Sequence, residues 1–142
     1  LVETIRRHDA VDRVCIGSFS DARLRRVRRA LGPDLATSAG PVGVASLRLL
    51  PGALSRLVHS PAQALQIPVT HAVGPRSVTL VVPRLVEVAH RLGKQVHVWT
   101  IDEADEMHRL LDLGVDGIVT DRIDTLRDVL ADRGHPLRPS SR

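Results

Sequence analysis

Val96-His97-Val98-Trp99-Thr100-Ile101-Asp102 is an apolar run ending in polar residues, and Gly114-Val115-Asp116-Gly117-Ile118-Val119-Thr120-Asp121-Arg122 closes a second one. Between them Ala104, Met107, Leu110 and Leu111 recur at helical spacing. Asp102 is placed to cap that helix, Asp105 and Glu106 fall in its first turn, and Gly114 stops it. The reading is strand, helix, strand with short connections, which requires parallel strands and gives an α/β class.

Working outward, the same alternation recurs. Thr79 is placed to cap a helix with Pro83 in its first turn and Leu85, Val88, Ala89 and Leu92 on its buried face, and Gly93 ends it. Upstream, Val14 to Ser18 reads as a strand covered on both faces. Asp21 then opens a helix bearing Leu24, Val27 and Leu31, stopped by Gly32-Pro33. Leu35 to Ser38 and Ala64 to Pro68 read as strands, with a helix from about Val42 to Leu50 that breaks at Pro51-Gly52. After Gly117 to Thr120 the last helix carries Leu126, Val129 and Leu130. One domain over 1–132 and a flexible tail over 133–142 are expected.

Parallel α/β sheets place their chemistry at the carboxyl ends of the strands. The positions of interest are therefore Ser18-Phe19-Ser20, Ser38-Ala39-Gly40, Trp99 to Asp102 and Thr120-Asp121-Arg122. Several of these blocks, together with Ala89-His90-Arg91-Leu92-Gly93 and Thr37-Ser38-Ala39-Gly40-Pro41, resemble the glycerophosphodiester phosphodiesterase family in order and spacing. The most specific are the Trp99-Thr100 block and the Gly114 to Arg122 block. Asp102 stands where that family usually has Asn, and Ile123 where Pro usually follows.

The resemblance implies the C-terminal half of a TIM (β/α)8 barrel, roughly from the helix before the fifth strand. Its parent would hydrolyse glycerophosphodiesters to glycerol 3-phosphate and an alcohol, a reaction of lipid metabolism, with a divalent cation (Mg or Ca). The His-Arg-Gly and Glu-x-Asp strands and the second His that supply acid, base and metal ligands in the family have no counterpart here, so no catalytic residue and no metal ligand is assigned. This chain alone is expected to need no cofactor and to be inactive. Trp99, Phe19 and Ser18 are the substrate-binding candidates, Trp99 as a flat wall for glycerol.

His90-Arg91, Glu103-Ala104-Asp105 and His108 repeat the letters of the catalytic pattern, but they sit on helix ends and are expected to be solvated charges. His97 is expected to be packed and hydrogen-bonded, Asp121 to brace the strand ends, and the Arg23 to Arg29 cluster to be a solvated helix face.

Composition narrows the alternatives. Nineteen Arg against the single Lys94, no Asn and 1% aromatic residues point to a GC-rich coding background, which inflates the basic balance of +4. Residues 1–60 carry +5 and residues 101–142 carry −4, so there is no continuous phosphate track and a nucleic-acid partner is disfavoured. Cys15 is the single cysteine, which favours a reducing, cytoplasmic compartment. No apolar window is long enough to cross a membrane. A chain opening on Leu1, with its only methionine at Met107, reads as a piece of a longer protein. A half-barrel has open strand edges near Val14–Ser18 and Gly117–Thr120, and an inner face including Ile16, Val98 or Trp99, and Ile118 that loses its cover, so self-association is expected. The competing reading is a non-catalytic half-barrel, a pseudoenzyme or partner-binding module.

Overall fold

The computed structural model describes residues 1–50 and 61–135, apart from the side chain of Val73. Helix α1 (Val2–Arg7) leads into β1 (Cys15–Ile16), α2 (Asp21–Leu31), β2 (Ala36–Thr37), α3 (Pro41–Leu49) and β3 (Ala64–Ile67). A pair of strands follows, β4 (Thr70–Val73) and β5 (Arg76–Thr79). Then come α4 (Pro83–Arg91), β6 (Gln95–Val98), α5 (Ala104–Asp112), β7 (Gly117–Ile118) and α6 (Ile123–Asp132).

Strands β1 and β2 pair in parallel, as do β3 with β6 and β6 with β7. A parallel bridge from Ser38 to Ala64 joins the two groups, so five parallel strands lie side by side in the order β1-β2-β3-β6-β7. A start before the fifth barrel strand leaves four strands; the described residues form five in parallel.

The register settles which face is which. Gln66, His97 and Gly117 form one row across β3, β6 and β7, and Ile67, Val98 and Ile118 belong to the row facing the other way. The second row, with Leu65, Val96 and Val98, is buried beneath Leu47 of α3, Leu85 and Val88 of α4, Met107 and Leu110 of α5 and Val129 of α6 in one apolar cluster. The face away from the helices carries small or polar residues instead. A Cβ on Gly117 would meet His97 Cδ2 at 2.9 Å, and one on Gly17 would meet Gln66 Oε1 at 2.9 Å. His97 is held by Gln95, with 3.1 Å between Nε2 and Oε1. Val98 is therefore a core residue under the helices and Ile118 packs against the same cluster, while Ile16 shares the side of Thr37. The expectation that these three lose their cover on an open inner face is corrected: a continuous apolar run does not reveal which face meets the helices.

The amino ends of the strands are locked for stability. Asp116 accepts from the Val96 amide at 2.7 Å and pairs with His90 Nε2 at 2.8 Å. Lys94 is 8% exposed and its ammonium donates to the Ala62 carbonyl; burial, with Arg28 adding repulsion, lowers its pKa from the ordinary lysine value.

Three local expectations are revised. Ser20, not Asp21, caps α2, its hydroxyl accepting from the Arg23 amide at 3.4 Å. Val82 stands at the cap of α4 with Pro83 in the first turn, because Thr79 is taken into β5. Arg28 is not solvated with the rest of its cluster. It donates from Nε and Nη2 to Thr37 Oγ1 at 2.8 and 2.6 Å, and burial lowers its pKa while Asp21 opposes that shift. The expected break at Pro51-Gly52 and most of the expected tail lie outside the described residues; residues 133–135 close α6, with Gly134 and His135 donating to Ala131 and Leu130.

Candidate functional site

The carboxyl ends of the strands open into a cavity of about 880 Å3. Its floor is made of residues that end strands: Gly17 and Ser18 after β1, Ser38 and Ala39 after β2, Gln66 and Ile67 in β3, and Trp99 after β6. The three substrate-binding candidates, Ser18, Phe19 and Trp99, all line it. Phe19 and Trp99 meet edge to face, ring centres 6.0 Å apart at 75°. The positive edge of one ring lies against the negative face of the other, an arrangement worth about 0.5–1.5 kcal/mol beyond area burial. The pair comes from strand ends distant in sequence, so neither aromatic is simply a core residue of its own strand.

The polar floor is built by hydroxyls that accept from backbone amides, one across strands and one within its own loop. Ser38 Oγ accepts from the Gln66 amide at 3.1 Å, and Ser18 Oγ accepts from the Ser20 amide at 3.1 Å. Ser38 stands among the strand-end positions expected from the sequence, whereas Gln66 was not singled out; its signal is a polar residue in the otherwise apolar run Ala64 to Ile67.

The outer wall is α3 with the β4–β5 hairpin, which sequence reasoning missed. Two Thr- and Val-containing runs flank the two-residue loop Gly74-Pro75, and Gly74 has φ 60°, the positive value that tight hairpin turns need at their first loop position. Arg48 Nε donates to the Thr79 carbonyl at 3.2 Å and ties the hairpin to α3. At the start of α3, Gly40 leaves room for the Asp21 carboxylate, which accepts from the Val42 amide at 3.3 Å.

The loop carrying Trp99 is anchored from the next strand. The Ile101 amide donates to the Val119 carbonyl at 3.0 Å. Asp102 Oδ1 accepts from the Thr120 hydroxyl at 2.7 Å and from the Asp121 amide at 2.9 Å. Thr120 Oγ1 in turn accepts from the Arg122 amide at 2.9 Å. Asp102 thus braces the strand ends, a role expected of Asp121, whose own side chain is exposed. Glu103, not Asp102, is at the cap position of α5 and makes no side-chain cap bond.

The Thr120 hydroxyl, followed by the Asp121 amide, holds the Asp102 carboxyl below the usual carboxylate value. A depressed carboxyl contributes stability that is present above the unfolded-state pKa and is lost as pH falls through the lower folded value. Asp102→Ala is expected to lower the melting temperature at pH 7, with the gap from wild type closing as the pH is taken below the unfolded carboxylate range. Asp102→Asn keeps an acceptor oxygen and is expected to melt near wild type at pH 7. Equal melting of all three forms would remove the brace.

His90, Glu103, Asp105 and His108 lie on α4 or at α5, and His90 is engaged by Asp116 at the opposite end of the sheet from the cavity. Among the described residues no three His, Cys, Asp or Glu side chains converge as a metal site. The described residues therefore do not fit a divalent cation. Among the described residues, the ionisable side chains lining the cavity are Arg48 and His71.

Residues 1–125 match the model of the Glycerophosphoryl diester phosphodiesterase family. The chain is 44% identical over 142 aligned residues to "Probable glycerophosphodiester phosphodiesterase 2" of Mycobacterium tuberculosis, covering 94% of this chain and 50% of that protein. It is 29% identical to the glycerophosphodiester phosphodiesterase of Caldanaerobacter subterraneus, covering 94% of this chain and 49% of that one. Among solved structures, a protein of Silicibacter pomeroyi assigned as a glycerophosphoryl diester phosphodiesterase superposes with a TM-score of 0.72 at 32% identity, over 96% of this chain and 44% of its own. The chain thus spans about half the length of the curated relatives it matches.

Proposed function

The chain belongs to the glycerophosphoryl diester phosphodiesterase family, and from that premise we propose that it forms the substrate-holding side of an enzyme that cleaves glycerophosphodiesters to glycerol 3-phosphate and an alcohol. The observation that carries this reading is the cavity at the strand ends in which Phe19, Trp99 and Ser18 converge. The aromatic pair offers an apolar wall for the carbons of glycerol, and the Ser18 hydroxyl is placed to donate to a substrate oxygen. Among the described residues no carboxylate lines the wall, so a phosphate meets no like charge there.

On this reading the five strands are the last five of eight, and the acid, base and divalent-cation ligands belong to residues outside this chain. A whole barrel of this type needs about 250 residues. The test is hydrolysis of glycerophosphocholine by the intact protein carrying this sequence. Cation-dependent release of glycerol 3-phosphate is expected; a protein that binds the diester without cleaving it favours the non-catalytic half-barrel.

The 142-residue chain by itself is expected to self-associate through β1 and β7, the outer strands of the sheet. The strand face away from the helices carries Gln66, Gln95 and His97, so the unpaired edges are expected to lead the association, with exposed Phe19 and Val119 adding apolar surface. Sedimentation at micromolar concentration should show dimers or larger species, whereas a monomer at every concentration would rule the association out.

A further inference from the structure

Gln66 is the polar residue of β3, and it lines the floor of the cavity at the strand ends. Its place is fixed from two sides. The Gln66 amide donates to Ser38 Oγ at the end of β2, and its carboxamide lies against the end of β1, where a Cβ on Gly17 would meet Oε1 at 2.9 Å. The carboxamide therefore occupies space that exists because residue 17 has no side chain. The next residue in the chain is Ser18, so the two polar groups share one corner of the floor. All of these contacts are made inside the sheet, between residues of β1, β2 and β3 and the turns that follow them. Among the described residues no side chain is hydrogen-bonded to the Gln66 carboxamide. A carboxamide offers an acceptor oxygen and an N–H donor side by side. A phosphate oxygen only accepts, so it would use the donor and meet Oε1 as a second acceptor. Two neighbouring hydroxyls use both halves, one donating to Oε1 while the other accepts from Nε2.

We propose that Gln66 is a further substrate-binding residue and that its carboxamide holds the two free hydroxyls of the glycerol moiety, in the position that Gly17 leaves open for it. This rests on the reading of the cavity as the substrate site. It makes Gln66 a determinant of specificity: a phosphate ester that lacks either hydroxyl leaves one half of the carboxamide unpaired in the floor, and that loss is felt as discrimination.

The test uses the intact protein and three phosphate monoesters as inhibitors of glycerophosphocholine hydrolysis: glycerol 3-phosphate, 3-hydroxypropyl phosphate, which lacks the central hydroxyl, and 2-hydroxypropyl phosphate, which lacks the terminal one. Wild type is expected to bind glycerol 3-phosphate about 10- to 100-fold more tightly than either analogue. Gln66→Leu, close in size but without hydrogen-bonding groups, is expected to shrink both ratios about tenfold. Gly17→Ala should shrink them too, because the new methyl displaces Oε1, the mobile end of the Gln66 side chain; Gly17 has no positive φ, so its backbone accepts alanine. The second variant changes no group that could touch the hydroxyls, so a shared effect identifies the carboxamide's position as the cause. A general disturbance of the site would weaken all three inhibitors alike and leave the ratios unchanged. Ratios that ignore both substitutions, or a wild type that binds the three monoesters equally, would overturn the inference and leave the proposed activity standing. Failure to cleave any diester would overturn both.

Discussion

The 142-residue chain alone releases glycerol 3-phosphate from glycerophosphocholine no faster than buffer containing the same divalent cation: this is the expected result with the largest effect. General acid–base catalysis contributes about 10²–10⁴-fold, and a metal ion acting on a phosphoryl oxygen adds several kcal/mol. Among the described residues no carboxylate and no histidine pair lines the cavity to provide the first, and no three ligands converge to hold the second. His71 is the nearest candidate base on the wall, and it stands on the hairpin with no carboxylate lining the cavity beside it. A coupled glycerol 3-phosphate assay on the purified chain decides the matter. Cation-dependent turnover with saturation would place the whole catalytic apparatus within these residues and refute the division of labour proposed above.

Trp99→Ala in the intact enzyme is expected to raise KM about 10- to 70-fold, with a smaller fall in kcat and unchanged cation affinity. A substrate face pressed against an indole buries on the order of 60–100 Å2, worth about 1.5–2.5 kcal/mol at 25 cal/mol per Å2. The substitution also strips Phe19 of its edge-to-face partner, freeing a ring that is already mostly in water. Trp99→Phe should recover most of the loss, since a flat apolar wall is kept. Calorimetric titration with the cation alongside steady-state kinetics separates the outcomes. Lost cation affinity with unchanged KM would show that Trp99 supports the metal centre and not the substrate.

The elements around Val96 to Arg122 were legible because apolar residues at helical spacing alternated with short apolar strands, and glycines with positive φ, such as Gly93 and Gly114, ended the helices where expected. What escaped depended on partners remote in sequence. Asp102 has the chemistry of a helix cap, but the Thr120 hydroxyl, eighteen residues away, takes its oxygen. Arg28 looks like its exposed neighbours until Thr37 of the next strand supplies an acceptor. The hairpin escaped because Thr79 reads as a helix cap, although Gly74-Pro75 marks the turn. Of the site, the residues that end strands were found, since parallel sheets fix where chemistry gathers. Ser38 and Gln66 needed the register of three strands to be seen as one floor.

Where glycerol 3-phosphate binds decides most directly whether the strand-end cavity is the substrate site. A crystal structure of the intact protein with that product is predicted to show the glycerol carbons in van der Waals contact with Phe19 and Trp99 and one hydroxyl within hydrogen-bond distance of Ser18. Density for the product anywhere else, at the amino ends of the strands or along the helices, with the Phe19–Trp99 pair left in solvent, would contradict it.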